Sequence, residues 1–230
     1  MKRYLITGAS RGIGRAIAEK LAAEDVTLLL HGRDTVALAE VCKAVTPRGG
    51  GVVRLIHDLA TKAGVSDLIA AVGSDPLDLL VNNAGIAVVK PFGEITQIEW
   101  EQTLGVNVTA PFLLTQRFAP KMPPGATIVN ILSIAAKTGF PNWSAYCMSK
   151  FALEGFSQSI REELRERKIR VINIYPAATD TSIWNNLQGD WPREKMISPN
   201  DVASTVAYAL SRPAEVALEN ISLSNLTGNL

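Results

Sequence analysis

Apolar residues along the chain follow two patterns that alternate. Seven short stretches are almost continuously apolar: Tyr4 to Ile6, Val26 to Leu30, Val52 to Ile56, Leu77 to Val81, Thr127 to Leu132, Arg170 to Tyr175 and Val216 to Leu223. Runs of this kind predict strands buried on both faces. Between them, apolar positions recur at helical spacing. Ile13, Ile17 and Leu21 mark a first helix reaching towards Asp25. Asp34 is placed to cap a second, which carries Val36, Leu38 and Val41. Further helices are expected over 61–72, over 96–119 with a kink near Pro111, over 143–167 and over 201–210. Thr46 to Gly51 and Met122 to Gly125 hold the proline and glycine of loops.

Strands apolar on both faces, alternating with helices, build a parallel sheet covered on both sides. Right-handed crossovers leave two solutions, the doubly wound open sheet and the eight-stranded barrel. The candidate strands fall one short of the barrel. The fold class is therefore α/β, a doubly wound sheet of about seven mostly parallel strands with helices on both faces. No internal repeat appears, and residues 1–230 are expected to form a single dinucleotide-binding domain. The irregular stretch Asn185 to Pro199 follows a strand's carboxyl end, where ligands bind in open sheets. Residues from about 177 to 199 are expected to wall the substrate pocket and to supply a lid.

Composition narrows the function classes. The chain has 23 Lys+Arg against 22 Asp+Glu, so it lacks the basic excess that nucleic acid or an anionic membrane would ask for. Its 47% apolar and 20% charged residues are those of a folded globular protein. Cys42 and Cys147 offer no disulfide framework, and with His31 and His57 they match no metal-ligand spacing. No apolar run approaches the ~20 residues of a membrane helix. Met1-Lys2-Arg3 precedes too short an apolar segment for a secretory signal, so a cytoplasmic location is expected.

The first strand runs into Thr7-Gly8-Ala9-Ser10-Arg11-Gly12-Ile13-Gly14 and then a helix. Glycines at such a turn let the backbone approach a pyrophosphate, and the helix amino terminus offers unpaired N–H groups. A glycine-rich turn without ligand is the plain alternative; the place on the first strand of a βαβ unit favours a dinucleotide and a Rossmann-type sheet. The second strand ends at His31-Gly32-Arg33, with no acidic residue for the ribose 2′-OH of NAD. Arg33, with Arg11 as a second charge, suits the 2′-phosphate of NADP at about 1.5–3 kcal/mol per charge-assisted contact. Asp34 adds an opposing charge, and an NAD-preferring enzyme stays open.

Tyr146 and Lys150 are four apart in a helical segment and share a face. A nearby ammonium is expected to lower the phenol's pKa, so that Tyr146 can trade a proton with a carbonyl or alcohol oxygen. Ser133, at the end of the preceding strand, is placed to hydrogen-bond the same oxygen. Taken singly each has a plain reading as surface, turn or cap.

On Thr7-Gly8-x-x-x-Gly12-x-Gly14, Asn82-Asn83-Ala84-Gly85, Asn107, Ser133 and Tyr146-x-x-x-Lys150 the chain resembles the short-chain dehydrogenase/reductase family, in its compact single-domain branch. The resemblance implies an oxidoreductase with Tyr146 as acid and base, Ser133 orienting the substrate oxygen, and Lys150 lowering the Tyr pKa and holding the nicotinamide ribose. Asn107 would hold a relay water. Gly8, Ser10, Arg11, Gly12, Ile13 and Gly14 would cradle the cofactor. Arg33 would meet its adenosine end, Asp58 and Leu59 its adenine, and Asn83, Ala84 and Gly85 would line it. Pro176, Thr179 and Thr181 would border the nicotinamide. A homodimer or homotetramer packed through the Tyr-bearing helix is also implied. Two departures stand out: Ala177 replaces the usual Gly after Pro176, and Ser222 to Gly228 lack the usual Asp-Gly-Gly close.

The remaining features have plain readings first. Phe156, Ile160 and Leu164 read as packing positions or as a subunit interface. Arg161 to Arg170, with Glu163 and Arg167 at i, i+4, reads as a solvated helix end. Trp184 and Trp191 read as packing residues, with a substrate lid as the second reading, and Trp143 as a pocket border. Ile134 to Trp143 and Ala177 to Asn186 would build a pocket of small and apolar residues, fit for a neutral carbonyl compound. A 3-oxoacyl thioester or a pteridine-type diketone stays open, and Lys137, Arg193 and Lys195 keep an anionic substrate open. A dinucleotide-binding sensor on the same fold is the non-enzymatic alternative.

Overall fold

The computed structural model describes residues 1–187 and 189–226. Thr227 and Gly228 of the unusual tail, and Gln188 of the expected lid, lie outside them. Seven parallel strands form one sheet in the order β3-β2-β1-β4-β5-β6-β7. They are β1 (Lys2–Ile6), β2 (Val26–Gly32), β3 (Gly51–Ile56), β4 (Leu79–Asn82), β5 (Thr127–Ile131), β6 (Arg170–Pro176) and β7 (Asn220–Leu223). The order reverses between β1 and β4, which opens a crevice at their carboxyl ends.

Successive strand residues point to opposite faces, and both faces are apolar. Ile6, Leu28, Leu30, Leu79, Val81 and Val129 pack beneath α1 (Gly12–Leu21), α2 (Thr35–Val45) and α7 (Pro199–Leu210). Leu5, Leu29, Leu80, Ile128 and Val171 face α3 (Lys62–Val72) and α5 (Ala110–Phe118). This is why the strands read as continuous apolar runs. The final strand is shorter than its run, because Val216 turns onto the carbonyl of Pro213 instead of extending the ladder.

The helical stretch after β4 breaks six residues ahead of Pro111, earlier than expected. A helix α4 (Gln97–Leu104) gives way to a π turn, Gly105–Thr109, which runs into α5. Pro111 has no N–H to offer the carbonyl of Asn107 four residues back, so the α pattern cannot continue there. Proline itself sits in the first turn of α5, where it is tolerated.

The long helix α6 (Ser144–Arg165) lies over β5 and β6. Ile160 and Leu164 pack on the sheet, while Phe156 meets Phe112 at 5.4 Å between ring centroids. The end of α6 is not simply solvated. Arg161 is buried and donates to the carbonyls of Val171 and Glu219, and Arg167 donates to those of Ala119, Pro120 and Met122. Both arginines thus gather several backbone carbonyls, of which those of Ala119 and Glu219 also accept a backbone N–H. No helix among the described residues is long and apolar enough to cross a membrane.

One polar row crosses this apolar sheet. Asn82, Asn130, Asn173 and Asn220 occupy one register across β4 to β7. Asn82 donates to Asn130 (2.9 Å), and Asn130 donates to Ser157 of α6 (2.8 Å) and to Asn173 (3.4 Å). Tyr175 then joins Asn173, Asn220 and Glu154 in the same network. Asn130→Ala removes partners from three buried groups, so urea unfolding should show a loss of about 1–3 kcal/mol. A change below a few tenths would mean that the row carries no stability.

Candidate active site

β1 delivers the chain into the crevice. Gly8 and Gly12 have φ of +66° and +55°, conformations that a side chain disfavours. Gly14 is fixed by crowding instead, since a Cβ there would lie 2.3 Å from the Gly8 carbonyl oxygen. The loop is held from below. The Thr7 hydroxyl accepts from the N–H groups of Asn83 and Ala84 and donates to Val81. The Asn83 amide donates to the carbonyls of Thr7 (2.8 Å) and Gly8 (3.1 Å), so its side chain braces the loop. Ile13 packs against the core below α1, and Ser10 is buried against Gly32. α2, α3, α4 and α7 are capped by Asp34, Thr61, Thr96 and Ser198. The amino terminus of α1 has no side-chain cap and no acidic residue in its first turn. Glycines that a Cβ would fill and uncapped N–H groups fit the pyrophosphate of a dinucleotide.

His31, which the pattern of the sequence did not single out for this loop, ends β2 beneath it. Its Nδ1 accepts from Gly8 N–H (3.4 Å) and its Nε2 faces the carbonyl of His57 (3.0 Å). Burial lowers its pKa to about 4, so the ring is neutral at pH 7 and can accept at one nitrogen while donating at the other.

Near the carboxyl end of β2 the two arginines each face a carboxylate. Arg11 bonds Asp34 at 2.5 Å and Arg33 lies 3.7 Å from Asp58. All four side chains are well exposed, so the pairs are weak and open to exchange with a phosphate. Asp58 also accepts from Ala60 N–H. Leu59 places its side chain in the core and not in the cleft.

Ser133, Tyr146 and Lys150 meet past the end of β5. Ser133 caps the short turn Ile134–Ala136, accepting from Ala135 N–H, and its hydroxyl lies near enough to the Tyr146 phenol to lower its pKa. Lys150 is 4% exposed and donates to the carbonyl of Ile131 (2.8 Å). The electrostatics differ from the expectation. Tyr146 is half-buried as a whole, and burial of its phenol pushes the pKa up to about 12 against the lowering by Ser133. Burial brings Lys150 down to about 8. The ammonium lies 5.6 Å from the Tyr ring centroid and is turned towards a backbone carbonyl, so it is not the dominant influence on the phenol.

Asn107 joins the set from the π turn. Its amide bonds Ile86 in both directions (2.9 Å each) and donates to Ser149 (3.0 Å), which in turn donates to the Tyr146 carbonyl. A Cβ on Gly85 would approach Asn107 and Lys150. The loop after β4, the π turn and α6 are thus one hydrogen-bonded unit, and Ser149 is its unexpected link.

The opposite wall comes from the stretch after β6. Pro176 ends the strand, and Ala177 continues it by donating to the Leu223 carbonyl (2.8 Å). Among described non-glycine residues only Asn142 and Lys168 have positive φ, so Ala177 bears its Cβ without strain. Thr179 is buried and donates to the Ala177 carbonyl. Thr181 sits against Gly12, whose would-be Cβ lies 3.0 Å from the Thr methyl. An open cleft of about 410 Å³ lies between α1 and this wall, lined by Arg11, Gly12, Arg15, Thr181, Asn185 and Arg193 among others. Residues 134–143 do not line that cleft. Arg193 clamps the wall by bonding Asp180, Asn185 and the Thr181 carbonyl.

A family model described as short chain dehydrogenase matches residues 2–191. The chain belongs to that family. This short chain dehydrogenase is 32% identical over 227 residues to an uncharacterized oxidoreductase of Staphylococcus saprophyticus, covering 96% of each chain. It is 30% identical over 237 residues to a sepiapterin reductase of Chlorobaculum tepidum, covering 98% and 97%. Among solved structures it resembles an angucycline C-6 ketoreductase with bound NADP, at TM-score 0.86 and 30% identity, covering 97% and 94%. As a short chain dehydrogenase it is an oxidoreductase acting between CH–OH and C=O groups with a nicotinamide cofactor.

Three tryptophans complete the site of this short chain dehydrogenase. Trp143, at the start of α6, lies with its ring centroid 5.5 Å from Tyr146, 5.8 Å from Trp184 and 6.0 Å from Trp191. Trp184 and Trp191 are 4.9 Å apart. Their positions in the chain hinted at a lid, but not that Trp184 and Trp191 would both meet the indole that touches Tyr146. Only Trp184 has an acceptor for its indole N–H, the Thr179 carbonyl at 2.8 Å.

Proposed function

We propose that this short chain dehydrogenase is an NADP(H)-dependent oxidoreductase of a carbonyl or secondary alcohol substrate, with Tyr146 as proton donor and acceptor. The observation that carries this reading is the meeting of Ser133, Tyr146 and buried Lys150 past the end of β5, beside a glycine cradle whose helix has no cap of its own. The nicotinamide, when bound, supplies or takes the hydride. Gly8 to Gly14 hold its pyrophosphate, Lys150 its ribose, and Thr179 and Thr181 border its ring. Tyr146 is protonated at neutral pH, since its pKa is raised to about 12, and it gives that proton to the carbonyl oxygen. Ser133 donates to the same oxygen and steadies its developing charge. Asn107 offers a carbonyl that Pro111 cannot bond, a place for a relay water towards Lys150.

For the cofactor, the 2′-phosphate would displace Asp58 and Asp34 from Arg33 and Arg11. Arg33→Ala is expected to cut the preference for NADPH over NADH about tenfold, the worth of one charge-assisted contact. Paired binding titrations with both cofactors check this. An unchanged ratio, or a starting preference for NADH, would replace NADP by NAD. The groove of Val108, Thr109, Phe112, Leu153 and Phe156 beside exposed Phe151 suits packing of α5 and α6 on a second copy, as a homodimer or homotetramer. The test of the activity is nicotinamide absorbance over ketones, aldehydes and diketones, with NADPH and NADH in parallel.

A further inference from the structure

We propose that Trp143, Trp184 and Trp191 form an aromatic box that selects flat, conjugated, uncharged carbonyl compounds, with the Trp191 indole N–H donating to an acceptor on the substrate remote from the reacting carbonyl. The proposal rests on the carbonyl reading of the same site.

Four observations carry it. First, the three indoles contact one another and Trp143 contacts Tyr146, yet none belongs to the apolar clusters on the sheet. They are not core residues that happen to lie near a cleft. Second, the ring pairs are tilted or edge-on, with interplanar angles of 51° to 78°. An edge-on contact occupies one face of the receiving ring and leaves the other, and an aromatic face takes a flat conjugated ring by offset stacking. Third, the Nε1 of Trp191 is buried without an acceptor, whereas its neighbour Trp184 has one. A buried donor is a standing demand for a partner. Fourth, two of the three cations that would hold an anionic substrate are engaged. Arg193 is tied to Asp180, Asn185 and Thr181, and Lys137 lies 3.8 Å over the ring of Tyr175.

The stretch that carries Trp184 and Trp191 is tied at its base. Thr179 and Ile197 pair as a parallel bridge, with Asp180 N–H on the Ile197 carbonyl and Ile197 N–H on the Ala178 carbonyl.

Tetralone and its saturated counterpart decalone share a skeleton and differ in flatness, and they form the test. The enzyme is expected to favour tetralone in kcat/KM by about tenfold, the upper range of one aromatic contact. Trp143→Leu and Trp191→Leu should each bring that ratio down to near one, while Trp100→Leu, outside the cluster, should leave it unchanged. Tetralones carrying one methoxy acceptor at successive ring positions test the indole N–H. At least one isomer should gain about fivefold over tetralone, the worth of one hydrogen bond, and Trp191→Phe should remove the gain. Equal efficiency on tetralone and decalone overturns the box and leaves the reductase reading intact. No gain from any methoxy isomer overturns the role of the N–H. If no ketone is reduced, the reductase reading fails, and calorimetric titration with the two ketones decides the box by itself. Tighter binding of tetralone that is lost in Trp143→Leu sustains it; equal binding or none overturns it.

Discussion

Tyr146→Phe is expected to lower carbonyl reduction by about 10²–10⁴-fold, the usual contribution of a positioned general acid. The variant keeps the ring and so keeps its contact with Trp143 at 5.5 Å. Only the hydroxyl beside Ser133 goes, so the fold and the affinity for the nicotinamide cofactor should be nearly intact. The direction of the pKa shift adds a pH signature. A phenol raised to about 12 is fully protonated around neutrality and ready to donate. Reduction should therefore show no loss from this group between neutral and mildly alkaline pH. Alcohol oxidation needs the phenolate and should climb as pH rises. Stopped-flow rates in both directions, alongside a cofactor titration, measure all of this. Wild-type turnover in Tyr146→Phe would remove Tyr146 as the acid.

Gly14→Ala is expected to damage binding and stability together. Its methyl would lie 2.3 Å from the Gly8 carbonyl oxygen and 2.4 Å from the Asn83 amide nitrogen. The first is backbone, and the second is the group that holds the loop to β4. Neither can yield without moving the cradle. A stability loss of about 1–3 kcal/mol follows from overpacking. A cofactor affinity lowered about 10²-fold follows from displacing the loop by the order of an ångström. Gly155→Ala is the contrast, because its methyl meets no atom within 4 Å. Urea melts and cofactor titrations of both variants give the comparison. Normal cofactor affinity in Gly14→Ala would mean that the loop is not the pyrophosphate site.

The parallel sheet was legible because each strand is apolar on both faces, as Leu5 and Ile6 show by entering opposite clusters. The break near Pro111 was legible in kind but not in place. Proline acts on the carbonyl four residues behind it, so the irregular winding falls at Gly105–Thr109. The glycine loop and the Tyr-Lys spacing were visible because each is local. The electrostatics were not, since spacing puts Lys150 on the face of Tyr146 without saying that it turns to Ile131. His31, Ser149 and the meeting of three tryptophans depend on chain segments far apart in sequence. No periodicity encodes such contacts. Arg161 misled for the same reason: a charged helix end is solvated unless another segment arrives to accept its hydrogen bonds.

The asparagine row across β4 to β7 bears on how the sheet finds its alignment. Strands that are apolar on both faces have little to distinguish the right pairing from one displaced by two residues, since either buries hydrophobic side chains. A displaced β5 would carry the amide of Asn130 away from Asn82, Asn173 and Ser157 together, leaving buried donors and acceptors unanswered on three elements. The row thus works as a proofreader, penalising the misthreaded sheet more than it rewards the native one. Because β5 also carries Ser133 and the Ile131 carbonyl to the reaction centre, an error caught at Asn130 is an active site kept in alignment.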